Sequence, residues 1–400
     1  MSEWKKVKLG DYIDVLSGFA YKSKDFSDSG IPVIKIKNVC PPYISLEDLS
    51  FVPNSIAYQN PRYILKRGDV LIAMTGSHIN QIASVVGCVG RVRYNDITVL
   101  NQRVGKIVSK NNAKSSLDYI YYYLSQYEVK VELAQKAGGA ANQANISPSD
   151  IKNLLFPCPP LETQHRIATI LSRYDSLIEN YQKQIKLLEE AAQRLYKEWF
   201  VDLRFPGHEN TNIVDGVPEG WDKKKVGEVI AKVPRSKQIP TKDYQNEGAI
   251  PIIDQSRDYI AGYTDDIESM VESNEPYIVF GDHTRILKYV PFPFAKGADG
   301  TQLIMSNNLD LMPQCLLFTS LVSVDLSNYS YARHFKYLKE EEILVPTASI
   351  ANAFSKHVAK WYAKIQLNRE QLRFLTEARD RLLPKLMSGE IEAKQQSIRT

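Results

Sequence analysis

Short runs of amide, hydroxyl and cationic side chains recur along this chain. In the first half Lys35, Lys37 and Asn38 end an apolar run, and Thr75, Gly76, Ser77, His78, Asn80 and Gln81 form a polar loop. Asn101, Gln102 and Arg103 follow, then Asn142 and Gln143 inside the glycine-rich AGGAANQAN. The second half offers Gln255, Ser256 and Arg257, then His283, Thr284 and Arg285, then Lys296 and Gln302. These are groups that recognise by hydrogen bonding. The planar amide of Asn or Gln pairs with the edge of adenine through two bonds, and Arg or Lys does the same with guanine. Any one of them, taken singly, reads more readily as a solvated loop residue or a turn hydrogen bond. Taken as a set they point to reading of base edges. Asp69 and Asp282, each after a glycine, are expected to form turns rather than to read.

Groups that would break bonds are not arranged to do so. The sequence holds no GxxxxGK[ST] phosphate loop, no HExxH and no GxSxG elbow. Its six histidines (His78, His165, His208, His283, His334, His357) have no metal-ligand spacing. Asn60-Pro61-Arg62 shares two residues with the Asn-Pro-Pro-aromatic motif of adenine methyltransferases, but its third residue is wrong and no cofactor-binding glycine motif precedes it. The four cysteines (Cys40, Cys88, Cys158, Cys315) lie far apart without a CxxC pair, which predicts isolated thiols in a reducing cytoplasm. No run of about 18 apolar residues predicts a membrane helix, and the first residues, MSEWKKVKLGDYIDVL, do not read as a secretory signal. The 23 tyrosines are expected in cores and cross-strand pairs of β-rich domains rather than on a carbohydrate-binding face.

The elements that must hold these polar runs are laid out twice. At 400 residues the chain is too long for one ordinary core. Trp4, Val7, Leu9 and Gly10 open the first half; PEGW ending at Trp221, then Val226 and Gly227, open the second. SGIPVIKIKNV (29–39) is matched by GAIPIIDQS (248–256), and YILKRGDVLIAMTGS (63–77) by PYIVFGDHTRI (276–286), each read as strand, Gly-Asp turn, strand. Each half closes on an apolar–proline step, LLFP (154–157) and ILVP (343–346), and passes into a long helical pattern. In the first, Leu171, Tyr174, Ile178, Tyr181, Ile185, Leu188, Ala192, Leu195 and Trp199 recur at alternating steps of three and four. In the second, Phe354, Val358, Trp361, Ile365, Leu372, Leu375, Leu382 and Leu386 do so, with Asn368 and Arg379 in the two missing positions. A period of 3.5 held this long predicts a coiled-coil seam. Pro159 and Pro160 precede the first helix, and Pro384 then Gly389 are expected to close the second. With a β-rich segment between them, the helices pair most simply in antiparallel fashion.

Several motifs give this order of elements a family. PPLETQHRIATIL (159–171) resembles the start of the central helical region of type I restriction–modification DNA-specificity subunits, with Thr163 inserted where the family commonly has Glu-Gln. EWFVDLRFPG (198–207) and RDRLLPKLMSGEI (379–391) are similar to the ends of that family's helices. GDVLIAMTGS (68–77), NQRV (101–104), NISPSDIKNLLFPCPPL (145–161) and FGDHTRILKYVPFPFAKGADGTQLI (280–304) resemble parts of its recognition domains. The resemblance implies an α+β fold: two β-rich target-recognition domains, 1–157 and 204–346, at opposite ends of a two-helix antiparallel coiled coil formed by 158–203 and 347–400. It implies a non-catalytic subunit whose two domains each read one half of a split, asymmetric site on double-stranded DNA. The coiled coil would set the spacer and dock two methyltransferase subunits, which a motor–nuclease subunit can join. S-adenosylmethionine, ATP and magnesium would then be bound by those partners and no cofactor by this chain. The competing reading is a stand-alone enzyme or polymer-binding module on the same repeated scaffold.

Charge fits this only locally. Residues 1–157 carry 19 Lys and Arg against 13 Asp and Glu, while residues 204–346 carry 15 against 21. Phosphate contact needs positive charge. The loops around Arg235, Lys237 and Lys242, and around Arg285, Lys288 and Lys296, are expected to supply it in the second half, with partner subunits completing the clamp.

Overall fold

The computed structural model describes residues 4–77, 84–138, 144–329 and 333–393. The chain divides into two units, Met1–Ile178 with Phe374–Thr400, and Glu179–Arg373. Both mix strands with helices.

In the first unit, the two ends of the β-rich segment are clasped together, Lys6–Lys8 lying antiparallel to Leu155–Pro157. Between them lie β1 (Ile13–Ser17), β2 (Ile31–Ile34), β3 (Ser50–Val52), β4 (Ile64–Leu65), β5 (Val70–Ala73), β6 (Val89–Arg91), β7 (Thr98–Leu100) and β8 (Val104–Ser109). One sheet has the order β1-β8-β5-β6, continued by the short strands Tyr43–Ile44 and Val39–Cys40; the other has the order β3-β2-β7-β4. β2 and β7 are parallel, with Val33 opposite Val99 and Ile34 opposite Leu100. The strands are runs of β-branched and other apolar residues because both faces are covered: Val70, Leu71, Ile72 and Ala73 are all buried.

The second unit repeats the plan. Asp222–Lys225 is antiparallel to Glu342–Val345 as its clasp. Then come β9 (Ile250–Ile253), β10 (Gly262–Thr264), β11 (Met270–Val271), β12 (Tyr277–Gly281), β13 (Leu287–Val290), β14 (Phe294–Gly297) and β15 (Thr301–Ile304). β9 is parallel to β14 as β2 is to β7. β10 flanks β9 as β3 flanks β2. β11 flanks β14 as β4 flanks β7. The β12–β13 pair with β15 matches β5–β6 with β8.

This plan corrects one expected equivalence. Gly68-Asp69 precedes β5, whereas Gly281 ends β12 and Asp282 follows it. The two Gly-Asp pairs therefore sit at opposite ends of matching strands. Their carboxylates differ accordingly. Asp69 accepts from Lys66 N at 2.8 Å in its own turn and pairs with Lys106 at 2.6 Å. Asp282 is buried and accepts from Phe335 N at 2.7 Å, capping the helix His334–Glu340 from a distance in sequence.

The heptad-bearing segments are long helices, Leu161–Tyr196 and Ala348–Ser388. Pro384 lies inside the second; Gly389, at φ +77°, ends it, as a left-handed residue does. In the first unit Ile167, Ala168 and Leu171 share a core with Leu386 and Met387. In the second, Ala192 packs with Phe354, Val358 and Ile365. Tyr196 and Tyr362, outside the expected seam, are buried too, while Trp199 and Trp361 are half-buried. Helices that also pack on a domain bury a wider stripe than a bare two-helix seam does. The two polar seam positions are matched by polar partners: Asn368, fully buried, donates to Gln184 at 3.3 Å, and Arg379 pairs with Asp175 at 3.1 Å.

Candidate nucleic-acid interface

Parallel pairing of β2 with β7 decides what meets in the first unit. Their C-terminal ends lie side by side, so Lys35 and Asn101 emerge together, with Asn101 N bonded to Ile34 O at 3.1 Å. The β8–β5 ladder adds a third segment, since Met74 N donates to Arg103 O at 3.0 Å. Residues 35–38, 75–77 and 101–103 thus converge at one end of the fold, as a common surface requires. Their side chains have different roles. Lys37, Gln102 and Arg103 are exposed, and Asn101 and Ser77 half-buried. Asn38 is withdrawn from any such surface: it is buried, accepts from Lys35 N at 3.0 Å and donates to Glu47 O at 2.9 Å. Thr75 is likewise buried and donates to Asn145 at 2.7 Å, joining Thr75–Gly76 to Ala144–Asn145. Lys35 leans inward, with Nζ on Ser50 Oγ at 2.8 Å and 4.1 Å from the Phe26 ring centre; burial holds its ammonium below its usual pKa. His78, Asn80, Gln81, Asn142 and Gln143 lie outside the described residues.

In the second unit the loops after β9, β12 and β14 meet around Gln255. Its Oε1 accepts from His283 N at 3.1 Å, its Nε2 donates to Asp299 O at 2.9 Å, and Thr284 Oγ1 donates to its carbonyl at 2.6 Å. Gly300, at φ +73°, closes the cluster; a Cβ there would stand 2.7 Å from the His283 ring and 2.9 Å from the Gln255 amide. His283, Thr284 and Arg257 are exposed. Ser256 is bound by its own turn, its N and Oγ on Asp254 at 2.8 and 2.5 Å. Arg285, at φ +63°, turns its guanidinium onto Tyr329 O at 2.7 Å.

Beside the β14–β15 hairpin lies a groove of about 510 Å³ lined by Arg235, Ser236, Gln238, Lys296 and Gln302 with Val233, Pro234 and Leu303. It gathers a guanidinium, an ammonium and two amides, and the Ser236 hydroxyl is buried there without a hydrogen-bond partner. Burial lowers the Lys296 pKa. Of the cations expected to form a patch, Arg235 and Lys296 line this groove and have no ion-pair partner among the described residues. Lys237 is neutralised by Asp266 at 2.7 Å and Glu268 at 3.5 Å. Lys288 is buried against Asp254 at 3.8 Å, and burial pulls its pKa down to about 8. Ser236 and Gln238 are additions to the sequence reading. The signal was RSKQ, donors bracketed between Pro234 and Pro240. Among the described residues no three His, Cys, Asp or Glu are placed to hold a metal, and no helix is long and apolar enough to cross a membrane. The arrangement suits hydrogen-bond readout of a polymer edge.

Residues 1–190 match the family model described as the type I restriction modification DNA specificity domain. The type I restriction enzyme MjaIX specificity subunit of Methanocaldococcus jannaschii is 27% identical over 425 residues, covering 98% of this chain and 94% of that protein. A putative type I restriction enzyme MjaX specificity subunit from the same organism is 23% identical, covering 98% and 94%. The solved S subunit of a type I restriction–modification system from M. genitalium shares the fold at a TM-score of 0.60, with 17% identity and 96% of each chain covered.

Proposed function

On its similarity to type I restriction–modification DNA-specificity subunits, over residues 1–190 in the family model and over 98% of the chain at 27% identity, we propose that the chain belongs to that family and is the non-catalytic subunit that selects the DNA site of such a complex. The observation that carries this reading is the duplication. One strand plan is built twice, and each copy brings a different set of amide and cationic side chains to the end of a parallel strand pair. Two diverged readers suit a double-stranded DNA site made of two unlike halves, base edges giving the sequence and phosphates the placement.

In this reading the target-recognition domains, 1–157 and 204–346, stand at opposite ends of an antiparallel coiled coil made by 158–203 and 347–400. Within the second unit Gln184 meets Asn368 and Tyr196 meets Phe354, contacts that run in opposite order along the two helices, which supports antiparallel pairing. The coiled coil sets the spacer and docks two methyltransferase subunits, with a motor–nuclease subunit joining them in the cytoplasm. S-adenosylmethionine, ATP and magnesium belong to those partners. The first reader uses Lys37, Asn101, Gln102 and Arg103; the second uses Arg257, His283, Thr284, Lys296 and Gln302, with Arg235 and Gln238.

Lys296→Ala tests this in the complete methyltransferase. Loss of one base contact costs about 1–3 kcal/mol of discrimination. Methylation of sites varied base by base should relax at one position of one half-site and nowhere in the other. Equal relaxation in both halves would refute two independent readers.

A further inference from the structure

Asp175, on the first long helix, is 1% exposed. Its Oδ2 accepts from Tyr122 Oη at 2.7 Å and Arg93 Nη2 at 3.0 Å; its Oδ1 accepts from Arg379 Nη1 at 3.1 Å. Three parts of the first unit meet on this one carboxylate: the first long helix, the second long helix, and the β-rich segment through Arg93 and Tyr122. Arg379 stands where the heptad calls for an apolar side chain. Asp380 Oδ1 holds its other two guanidinium nitrogens, Nη2 at 2.8 Å and Nε at 2.9 Å.

A buried ion pair adds little net stability over an apolar pair of the same shape, yet separating its members costs about 3–5 kcal/mol because a buried charge is left uncompensated. A polar group at a seam position is therefore a register device. Sliding one helix by a turn, about 5.4 Å, would part Asp175 from Arg379. The second unit holds a device of the same residue types. Glu189 of the first helix pairs with Arg369 of the second at 2.9 Å, and the Arg369 guanidinium lies 3.9 Å from the ring centre of Tyr259, whose hydroxyl donates to Tyr289 O at 2.5 Å and has Gln366 Oε1 at 3.3 Å. Here too an acid, an arginine and a tyrosine come from the two helices and the β-rich segment. This second junction is more open, the Glu189 side chain being 46% exposed against 2% for Asp175.

Resting on the function proposed above, we infer that Asp175 and Arg379 are positioning residues for spacer recognition. They lock the helices in register and fix the first recognition domain to them, so that one gap between half-sites is accepted. A one-turn slide corresponds to one or two base pairs at about 3.4 Å each.

The test uses the chain assembled with its methyltransferase partners and a DNA library in which both half-sites are constant and the gap varies one base pair at a time. Arg379→Leu completes the apolar seam and leaves Asp175 paired with Arg93 and Tyr122, so folding is retained. The ratio of methylation at the native gap to that at gaps one base pair longer or shorter should fall about tenfold, a change of about 1.4 kcal/mol. Half-site preferences should stay the same, and Arg379→Lys should restore part of the ratio. If Arg379→Leu does not assemble, Asp175→Asn with Arg379→Gln, which leaves the Asp175–Arg379 pair uncharged, gives the same readout. An unchanged gap ratio in an assembled variant overturns the inference, even if its melting temperature moves. A wild-type complex that shows no bipartite preference overturns the underlying function instead, and the two failures are told apart by that control.

Discussion

Gln164→Leu should destabilise the first unit by about 2–4 kcal/mol. Gln164 is fully buried in the first turn of the first long helix. Its Oε1 accepts from Ser116 N at 2.9 Å, and its Nε2 donates to Pro159 O at 2.9 Å. Leucine keeps the volume and removes both partners. Each buried backbone group left unpaired costs about 1–3 kcal/mol, and the apolar replacement offsets part of the sum. Ser116 also begins the helix Leu117–Leu124, its hydroxyl accepting from Tyr119 N at 3.4 Å, so the loss should spread into that helix. For a unit of about 200 residues, 1 kcal/mol moves the midpoint by about 2–4 °C, which gives a drop of about 4–16 °C. Thermal unfolding of the isolated chain by circular dichroism measures the drop, and hydrogen exchange across 114–124 assigns it to the first unit. Gln164→Glu retains the acceptor for Ser116 N but sets a carboxylate against Pro159 O, and should cost at least as much. A Gln164→Leu midpoint within about 1 °C of the parent would refute the reasoning, as would lost protection confined to the second unit.

Gln255→Ala removes the amide that ties His283 to Asp299. Its two partly exposed bonds are worth about 0.5–1.5 kcal/mol each, and binding to sites varied in each half should show lost discrimination in the second half alone. Discrimination lost in the first half would contradict the assignment. Inserting one heptad into both long helices preserves the seam and lengthens each by about 10 Å. The preferred gap should grow by up to about three base pairs, fewer if the accompanying DNA rotation of about a quarter-turn resists it. Methylation mapping that returns an active variant with an unchanged gap would remove the helices as the ruler.

What was legible in the sequence is what local periodicity encodes. GIPVI and AIPII are matching strands because the same apolar run follows a turn in each half. The apolar–proline steps do end each β-rich segment, at Leu155–Pro157 and Glu342–Val345. What stayed hidden depends on partners distant in the chain. Asn38 looks like a reader until Glu47 O claims its amide. Lys237 and Lys288 look like a cationic patch until Asp266 and Asp254 neutralise them. The two Gly-Asp pairs look equivalent because the dipeptide is the same, although one opens a strand and the other follows one. Pro384 looks like a stop, yet the helix passes through it, since packing on Leu386 and Met387 outweighs one missing donor.

The clasps Lys6–Lys8 with Leu155–Pro157, and Asp222–Lys225 with Glu342–Val345, bear on how such a chain can change over generations. Each β-rich segment enters and leaves its unit on two adjacent strands. A segment whose two ends meet can be cut out of a gene and replaced by another with the same end strands, without disturbing what lies outside the clasp. Recombination at two short stretches of sequence per half would then deliver a new binding preference in one event. Point mutation would have to rebuild a cluster such as Gln255, His283 and Gly300 one residue at a time, passing through intermediates that recognise nothing.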